Sequence, residues 1–428
     1  MEIPFSLPGA AASNFDLPQC EPSFDKQARL TKGGPRRALA VIASCCAAML
    51  ALTSCSSGGS GSGGGGAPPS AATCTVLYTS SPGVVQLLPS LLVDNDSVYW
   101  SEVSVANSTP VPGSSQIKEM PKAGGAVEIL ASGPSLSGNP GDVGDLDFTI
   151  DEFNLYWVTT GGNSQVFSVP LGGGYSPSLI ASEPADNFVE GENPGITSYG
   201  IGGSVYWTTG GDAIYSSSSV GGTETVFSFA EPTTFAGPEA EADAGTLVVT
   251  LGGIVTQVDA GNSYFNTGYY EINPTPPPNS TAEFLTPFAG TPGNYYHQGD
   301  LITDGADVYG LSTVQGAAQV VTSVFKISGT SATTLAQAGG TALNVATDGT
   351  YIYYAGGGSG VGGGGVVSAY AIVGNTVTSS QCVTSNGTNF IIGSVGVHGD
   401  YLDEGYIYAT GSGGGNPFNV LRMTKPTP

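Results

Sequence analysis

The stretch "DNDSVYWSEV", Asp94–Val103, returns along the chain in altered form. The related stretches are "DEFNLYWVTT" from Asp151, "DGADVYGLST" from Asp304, "DGTYIYYAGG" from Asp348 and "DEGYIYATGS" from Asp403. In each of them a tyrosine follows the aspartate by five residues. Together with Tyr206 and Val248, these tyrosines mark seven anchors, and neighbouring anchors are 42 to 61 residues apart. Such a period is typical of a protein built from stacked repeats.

Each repeat predicts four short strands. In the first repeat they are "PSLLV", "SVYWSEV", "QIKEMP" and "AVEILA", with the aspartate between the first two and a Gly-Gly turn between the last two. Four strands at this period favour a β-propeller. A single four-stranded sheet cannot cover both of its own faces, so the sheets must stack around an axis. We therefore predict an all-β fold, a seven-bladed β-propeller of four-stranded antiparallel blades over residues 74–428.

The recurrent aspartate predicts a tight hairpin between the first two strands. Its carboxylate can accept hydrogen bonds from backbone N–H groups two or three residues further on. A Ca²⁺ role for a loop such as the one from Asp94 is the alternative. The adjacent Tyr99 and Trp100 point to opposite faces of one strand. Both faces need large side chains where blades pack against each other, and the same holds for Trp157 and Trp207.

The two ends of the domain predict how the ring closes. The seventh repeat, from Gly396, lacks a fourth strand, and "CTVLYT", Cys74–Thr79, is a spare strand before the first repeat. Pairing the spare strand with the last blade removes two exposed sheet edges. Cys382 lies in the outer strand of the sixth repeat. We predict a disulfide between Cys74 and Cys382, because two cysteines at opposite ends of an exported domain are best explained as a pair.

The first 54 residues predict a signal peptide. Three basic residues, Lys32, Arg36 and Arg37, precede the apolar run Ala38–Ser54, which is too short to span a membrane. The run ends in Leu-Thr-Ser-Cys at Cys55, which resembles the bacterial lipobox. That resemblance implies export, cleavage before Cys55, lipid attachment to its thiol, and a place on the outer membrane or cell surface. An ordinary cleavage site beside an incidental cysteine is the alternative.

Residues 55–73 are rich in glycine and serine and predict a flexible tether. Beyond residue 54 the chain holds five basic and 30 acidic residues, a net charge of −25. Such a surface repels nucleic acid and anionic membranes, so we expect no nucleic-acid partner and membrane contact only through the lipid.

The repeat, with its following Pro and Gly-Gly turn, resembles that of bacterial secreted β-propeller lipoproteins, distantly akin to the TolB and NHL-type repeat families. The resemblance covers about Cys74 to Pro428. It implies the architecture and says almost nothing about activity, because propellers host many unrelated functions.

Long segments indicate where a partner would bind. They are Ser101–Ser115, Gly252–Gly268, Ala355–Gly365 and Ser182–Gly195, and in a propeller such connections open on one face. We expect a monomer that binds protein, peptide or glycan on this loop-rich face, as a non-enzymatic binding or scaffolding module. Tolerance of Gly-rich loops to length is the structural alternative.

The innermost strands carry the strongest chemical candidates. Nucleophile motifs are missing, and the two histidines, His297 and His398, are better explained by packing than by catalysis. Nine residues before each anchor the residue is polar in six repeats of seven. We predict a divalent-cation site there, with Ca²⁺ as the candidate cofactor; its ligands would be Asp147, Glu239, Asp300 and Asn344. A metal-dependent hydrolase or lyase, similar to gluconolactonase-type propellers, is the alternative function, and a water-filled polar channel is the structural one.

Overall fold

The computed structural model is a ring of seven four-stranded antiparallel blades, which confirms the predicted propeller. All described residues belong to the unit Cys55–Pro428. The described residues are 70–106, 109–133, 146–159, 163–184, 195–199, 203–208, 213–218, 222–228, 242–250, 253–260, 268–273, 281–287, 296–303, 307–315, 320–339, 345–356, 366–373, 376–384, 391–396, 405–412 and 418–425.

The first three blades follow the N-terminal strand β1 (Ser70–Thr79). Blade 1 contains β2 (Val84–Val93), β3 (Ser97–Ala106), β5 (Gln116–Pro121) and β6 (Glu128–Ser132), with the short β4 (Thr109–Pro110) paired to β3. Blade 2 contains β7 (Leu146–Ile150), β8 (Asn154–Thr159), β9 (Asn163–Pro170) and β10 (Ser178–Pro184). Blade 3 contains β11 (Ile196–Tyr199), β12 (Ser204–Thr208), β13 (Ala213–Ser218) and β14 (Thr223–Ser228).

The remaining blades repeat the pattern. Blade 4 contains β15 (Ala242–Val249), β16 (Ile254–Ala260), β17 (Gly268–Asn273) and β18 (Thr281–Pro287). Blade 5 contains β19 (Tyr296–Thr303), β20 (Val308–Gln315), β21 (Val320–Ser328) and β22 (Ser331–Gly339). Blade 6 contains β23 (Val345–Thr347), β24 (Tyr351–Gly356), β25 (Val366–Ala371) and β26 (Val377–Thr384). Blade 7 contains β27 (Ile391–Gly396), β28 (Tyr406–Ser412) and β29 (Phe418–Thr424), completed by β1.

The core consists of seven apolar clusters, one at each seam between neighbouring blades. The adjacent aromatic residues divide between two seams, as their alternation requires. Tyr99 packs in the seam between blades 1 and 2, whereas Trp100 packs in the seam between blades 7 and 1. Tyr156 and Trp157 divide in the same way one blade further on. Because both faces of every blade are covered, these side chains are almost fully buried.

The aspartate hairpins have the predicted geometry in the three blades where they are described. Asp94 Oδ1 accepts hydrogen bonds from the backbone N–H groups of Asp96 (2.8 Å) and Ser97 (2.7 Å). Asp151 and Asp348 make the corresponding pairs of bonds in blades 2 and 6. The turn aspartates of blades 5 and 7 lie outside the described residues. The structural explanation of the aspartate therefore accounts for the three described turns without a metal ion.

The spacing of five residues has a cause that the sequence did not reveal. The anchor tyrosine donates its hydroxyl hydrogen to the second carboxylate oxygen of the same aspartate, over 2.6 Å from Tyr99 to Asp94 and 2.9 Å from Tyr156 to Asp151. Tyr353 and Asp348 are joined in the same way, also over 2.9 Å. Burial, followed by the carboxylate's hydrogen bond and charge, raises the pKa of Tyr156 above its usual range. The tyrosine thus stays a neutral donor that locks the turn to the second strand.

Replacing Tyr156 with Phe should remove this lock. We expect the free energy of unfolding to fall by about 1–2 kcal/mol, because Asp151 loses a hydrogen-bond donor to its charged oxygen. Urea unfolding followed by fluorescence measures the change. Tyr175→Phe is the matched control, because Tyr175 is exposed and the same change there should cost less than about 0.5 kcal/mol. Equal midpoints for the two variants would show that the bond contributes nothing.

The anchor predicted for the fourth blade lies on the wrong strand. Val248 lies on the inner strand β15, and the second strand is β16. The true anchor is Val255, whose neighbour Ile254 pairs with Val249 as Leu155 pairs with Ile150 in blade 2. Thr250 stands where other blades have the aspartate, and its Oγ1 accepts the hydrogen of Gly253 N over 3.1 Å. Asp243, which lies five residues before Val248, is therefore a residue of the inner strand and not the turn aspartate of this blade.

The N-terminal strand closes the ring, as predicted, and it does so by joining two blades. Its second half, from Cys74 to Thr79, pairs antiparallel with β29 and completes blade 7. Its first half, from Ser70 to Cys74, pairs parallel with β26, the outer strand of blade 6. The strand thus begins four residues inside the predicted tether. Cys74 lies where the pairing changes partner, and it is bonded there to Cys382, with 5.5 Å between the two Cα atoms.

Candidate functional site

Among the predicted metal ligands, the structure describes only the side chain of Asp147. Its Oδ1 accepts a hydrogen bond from Phe148 N (2.9 Å), and its Oδ2 accepts one from Ile196 N (3.1 Å) on the inner strand of blade 3. Later along the same two inner strands, Ser198 Oγ of blade 3 donates a hydrogen bond to Ile150 O of blade 2 over 2.9 Å. Innermost strands have a free edge toward the axis, so their backbone groups need such partners. Asp147 therefore has a structural task at this edge.

The other predicted ligands are not brought together by any described contact. Glu239 and Asn344 lie outside the described residues, and so do Cys55 and His398. Asp300 is described only in its backbone, and it lies within a register shift of β19 between Gln298 and Leu301. Glu239 was selected by counting back from Val248, and that anchor is wrong. In the described part of the chain no group of three or more His, Cys, Asp and Glu side chains could hold a metal.

A buried charged network joins the closing strand to blade 1. Glu102, which is 4% exposed, forms an ion pair with Lys118 and accepts hydrogen bonds from Tyr78 OH (3.0 Å) and Trp100 Nε1 (3.3 Å). Lys118 Nζ also donates to Tyr78 OH over 3.2 Å. Burial alone would lower the pKa of Lys118, but the hydrogen bonds to Glu102 and Tyr78 outweigh it and raise that pKa. Each charge in the network is paired, as is typical of buried ion pairs that have a structural role.

A second ion pair joins the C-terminal strand to blade 6. Lys425 Nζ lies 2.6 Å from Asp348 Oδ2, in the turn that Tyr353 also holds. Burial by itself would raise the pKa of Asp348, but the hydrogen bonds from Lys425 and from the backbone of the turn bring that pKa below its usual value. The pair thus ties blade 7 to blade 6 near the closing strand.

The lowered pKa of Asp348 predicts a pH dependence. An aspartate whose pKa falls on folding contributes stability above its unfolded pKa, and loses that contribution as the pH falls through the folded pKa. Asp348→Asn should lower the free energy of unfolding at pH 7 by about 2 kcal/mol. The difference from the wild type should shrink below about pH 4. Urea midpoints from pH 7 to pH 2.5 measure it, with exposed Asp96→Asn as the control. A gap that stays constant over this range would contradict the assignment.

The two ends of the propeller differ in their connections. Turns between the first and second strands lie at what we call the lower end. Six of them have three or four residues, as at 94–96, 151–153 and 348–350, and the one in blade 7, 397–405, has nine. Connections between blades open at the opposite, upper end, and four of them are long: 133–145, 185–195, 229–241 and 288–295. Two of the long segments predicted from the sequence are partly strand in the structure. Ser101–Ser115 is largely a hairpin of β3 with β4, and Gly252–Gly268 contains all of β16.

Exposed large apolar side chains are concentrated at the lower end. Those at lower-end turns or strand starts of blades 2, 6 and 7 include Phe153 (56% exposed), Tyr175 (61%), Val373 (86%) and Tyr406 (43%). Of the exposed large apolar residues that the structure describes, only Val111 (36%) lies at the upper end. Loop length, the feature used to predict the binding face from the sequence, gave no indication of this surface. Hydrophobic residues at turn positions of the repeat would have been the signal.

No protein-family model and no curated protein matches the chain. Solved structures that resemble it include TolB from Acinetobacter baumannii, with a TM-score of 0.39, 16% identity, and coverage of 63% of this chain and 60% of that one. Raptor from Chaetomium thermophilum has a TM-score of 0.47 and 11% identity, and the match covers 82% of this chain and 30% of that one. This chain thus covers less than two thirds of the length of TolB and of Raptor. These scores carry no functional argument.

No helix in the described part of the chain has the length and apolar character needed to cross a membrane.

Proposed function

We propose that the protein is an exported, lipid-anchored propeller that acts as a non-enzymatic binding or scaffolding module. Its lipid is attached at Cys55, and its upper end binds a protein, peptide or glycan partner as a monomer. The observation that carries the proposal is a difference between the two ends: four connections between blades at the upper end have 8 to 13 residues, whereas every turn at the lower end except 397–405 has two to seven. Loops held by a rigid scaffold are the usual place for recognition.

Charged groups at the contacts between blades support a binding role because they are engaged in holding the blades together. Glu102 and Lys118 are paired with each other, Asp348 is paired with Lys425, and Asp147 accepts two backbone hydrogen bonds. A catalytic acid or base needs a partly dehydrated group turned toward substrate. The side chains named above are engaged in contacts between blades. We therefore expect the partner to be recognised by surface residues.

Photo-crosslinking in living cells tests the binding face. A photoreactive residue at Val111, at the upper end, should give an adduct of defined mass, which shortening the connection 185–195 should abolish. The matched position is Val373, which is more exposed but lies at the lower end. If Val111 gives no adduct, or its adduct survives the loop change, the upper end is not the binding face.

Cell fractionation tests the anchor separately. The Cys55→Ala variant should leave the membrane fraction and appear in the soluble envelope fraction. Retention of this variant in the membrane would rule out lipid attachment at Cys55. Metal-dependent hydrolysis remains the other candidate, and calorimetry with Ca²⁺ and Mg²⁺ tests it on the wild type and Asp300→Asn. Absence of binding at millimolar metal, or binding that the substitution leaves unchanged, would remove the channel site.

A further inference from the structure

We propose that the lower end of blades 6, 7, 1 and 2 lies against the membrane that carries the lipid anchor, so that the upper end points away from it. The proposal rests on the lipid anchorage at Cys55 proposed above. It departs from the expectation that the protein contacts the membrane only through its lipid, and it assigns an occupant, a lipid bilayer surface, to the exposed apolar side chains of that end. We call Phe153, Tyr175, Val373 and Tyr406 the lower apron.

The lower apron has the composition of an interfacial surface. Two of its four side chains are tyrosines, whose rings are apolar and whose hydroxyls are polar, and such residues are enriched where membrane meets water. Val373 is 86% exposed at the outer turn of blade 6, a large exposure for an aliphatic side chain in a folded domain. The four residues belong to three of four consecutive blades, and burying them in a lipid surface would remove apolar area from water.

Most of the basic residues of the propeller lie at the same end. Only five basic residues follow Cys55, and three of them lie at the lower end of blades 7 and 1: Lys122, Arg422 and Lys425. The Arg422 guanidinium lies 4.8 Å from the centre of the Tyr406 ring, and its Nη1 donates to Lys122 O over 3.4 Å. These basic residues lie beside acidic ones at the same end, among them exposed Asp96, Glu128 and Glu152. The lower end therefore offers the domain's few cations to lipid phosphates, whereas the apolar side chains have to supply the remaining attraction.

The direction of β1 favours an anchor near this end. Ser70 pairs with Ser380 in a parallel arrangement, so the chain before Ser70 leads toward the start of β26 at Val377, which is its lower end. Fourteen residues lie between Cys55 and Ser70. A Gly/Ser-rich chain of that length has an end-to-end distance of about 20 Å, which is short beside the width of a propeller. The lipid would therefore hold the lower end of blade 6 closest to the bilayer.

Tryptophan quenching tests the orientation. The native Trp100, Trp157 and Trp207 are fully buried, so an added surface tryptophan can be read separately. Val373→Trp reports on the lower end, and Val111→Trp is the matched control at the upper end. Residues 55–428, the unit that contains every described contact, are tethered through an N-terminal hexahistidine tag to nickel-chelating lipid. The vesicles contain phosphatidylethanolamine and phosphatidylglycerol, with nitroxide-labelled head groups as the quencher.

We expect Val373→Trp to lose a large share of its added emission on vesicles that carry the quencher, and Val111→Trp to lose none. Adding Phe153→Glu and Tyr406→Glu should restore the emission of Val373→Trp while the protein stays tethered. Equal quenching at both positions, or no quenching at Val373, would overturn the proposal. So would a discrete protein adduct or a crosslinked dimer from a photoreactive residue at Val373 in cells, where we expect lipid adducts. Because the tag replaces the natural lipid, a failure of Cys55 anchorage in the fractionation experiment is a separate result.

Discussion

Removal of the disulfide between Cys74 and Cys382 should lower the free energy of unfolding by about 5 kcal/mol. The two cysteines are 308 residues apart, and the chain-entropy relation gives roughly that value for a loop of this length. Without the bridge, the unfolded chain regains the freedom of nearly the whole propeller. The folded ring keeps its backbone pairing, because β1 remains hydrogen-bonded to both β26 and β29.

The comparison is best made on one protein in two redox states. Urea unfolding of the oxidised and the dithiothreitol-reduced wild type isolates the covalent bond from any change of side chain. The Cys74→Ala/Cys382→Ala variant should then unfold near the reduced wild type. We also expect a larger dependence of the free energy on urea, since an uncrosslinked unfolded chain exposes more surface. Coincident curves for the oxidised and reduced protein would show that closure does not depend on the bridge.

The repeat was readable from the sequence because it is imposed by local chemistry. An aspartate that caps a hairpin and a tyrosine five residues later that bonds to it must keep their spacing in every blade that uses them. Blade 4 uses Thr250 and Val255 instead, so the pattern disappears there although the backbone turn is retained. A threonine hydroxyl performs part of the aspartate's task. The aspartate motif therefore could not locate the second strand of blade 4.

The closure was predictable for a different reason. A missing strand at one end and a spare strand at the other are a matter of counting, and exposed sheet edges are costly in any sequence. The parallel pairing of Ser70–Cys74 with blade 6 was not predictable, because those residues read as a continuation of the Gly/Ser segment. Backbone pairing at an outer edge places few demands on side chains, so a strand there leaves little trace in the sequence.

The metal site in the channel stays a prediction, but the spacing argument that placed its ligands at one height does not hold. Equal distance from an anchor means equal height only if the inner strands are regular, and β2, β15, β19 and β27 each contain a shift. The polar residue in β7 is explained by the neighbouring blade, since Asp147 accepts the hydrogen of Ile196 N. A contact between blades depends on a partner about 50 residues away in sequence, which a motif search does not see.

Replacing Lys118 with Met should be the most damaging single substitution among the charged residues, at about 3–5 kcal/mol. The change leaves Glu102 buried in the seam between blades 7 and 1 without its cation. Tyr78 OH and Trp100 Nε1 would still donate to it, but two neutral donors do not offset a buried charge. The closing strand carries Tyr78, so the damage falls on the seam that completes the ring.

The matched control is Lys326→Met, which removes the same side chain from a more exposed pair. Lys326 Nζ lies 2.5 Å from Asp307, and the two side chains are 29% and 24% exposed, against 12% and 5% for Lys118 and Glu102. Exposed pairs contribute about 0–1 kcal/mol, so this variant should unfold near the wild type.

The double variant Lys118→Met/Glu102→Gln separates loss of an attraction from burial of an unpaired charge. A neutral glutamine still accepts from Tyr78 and Trp100, so the double variant should recover most of the stability and remain about 1–2 kcal/mol below the wild type. The measurement is urea unfolding at pH 7. It compares the wild type, Lys118→Met, Glu102→Gln and the double variant, which together complete the double-mutant cycle. If the double variant is as unstable as Lys118→Met, the cost comes from lost packing around the lysine stem, and the ion pair is not what seals the ring.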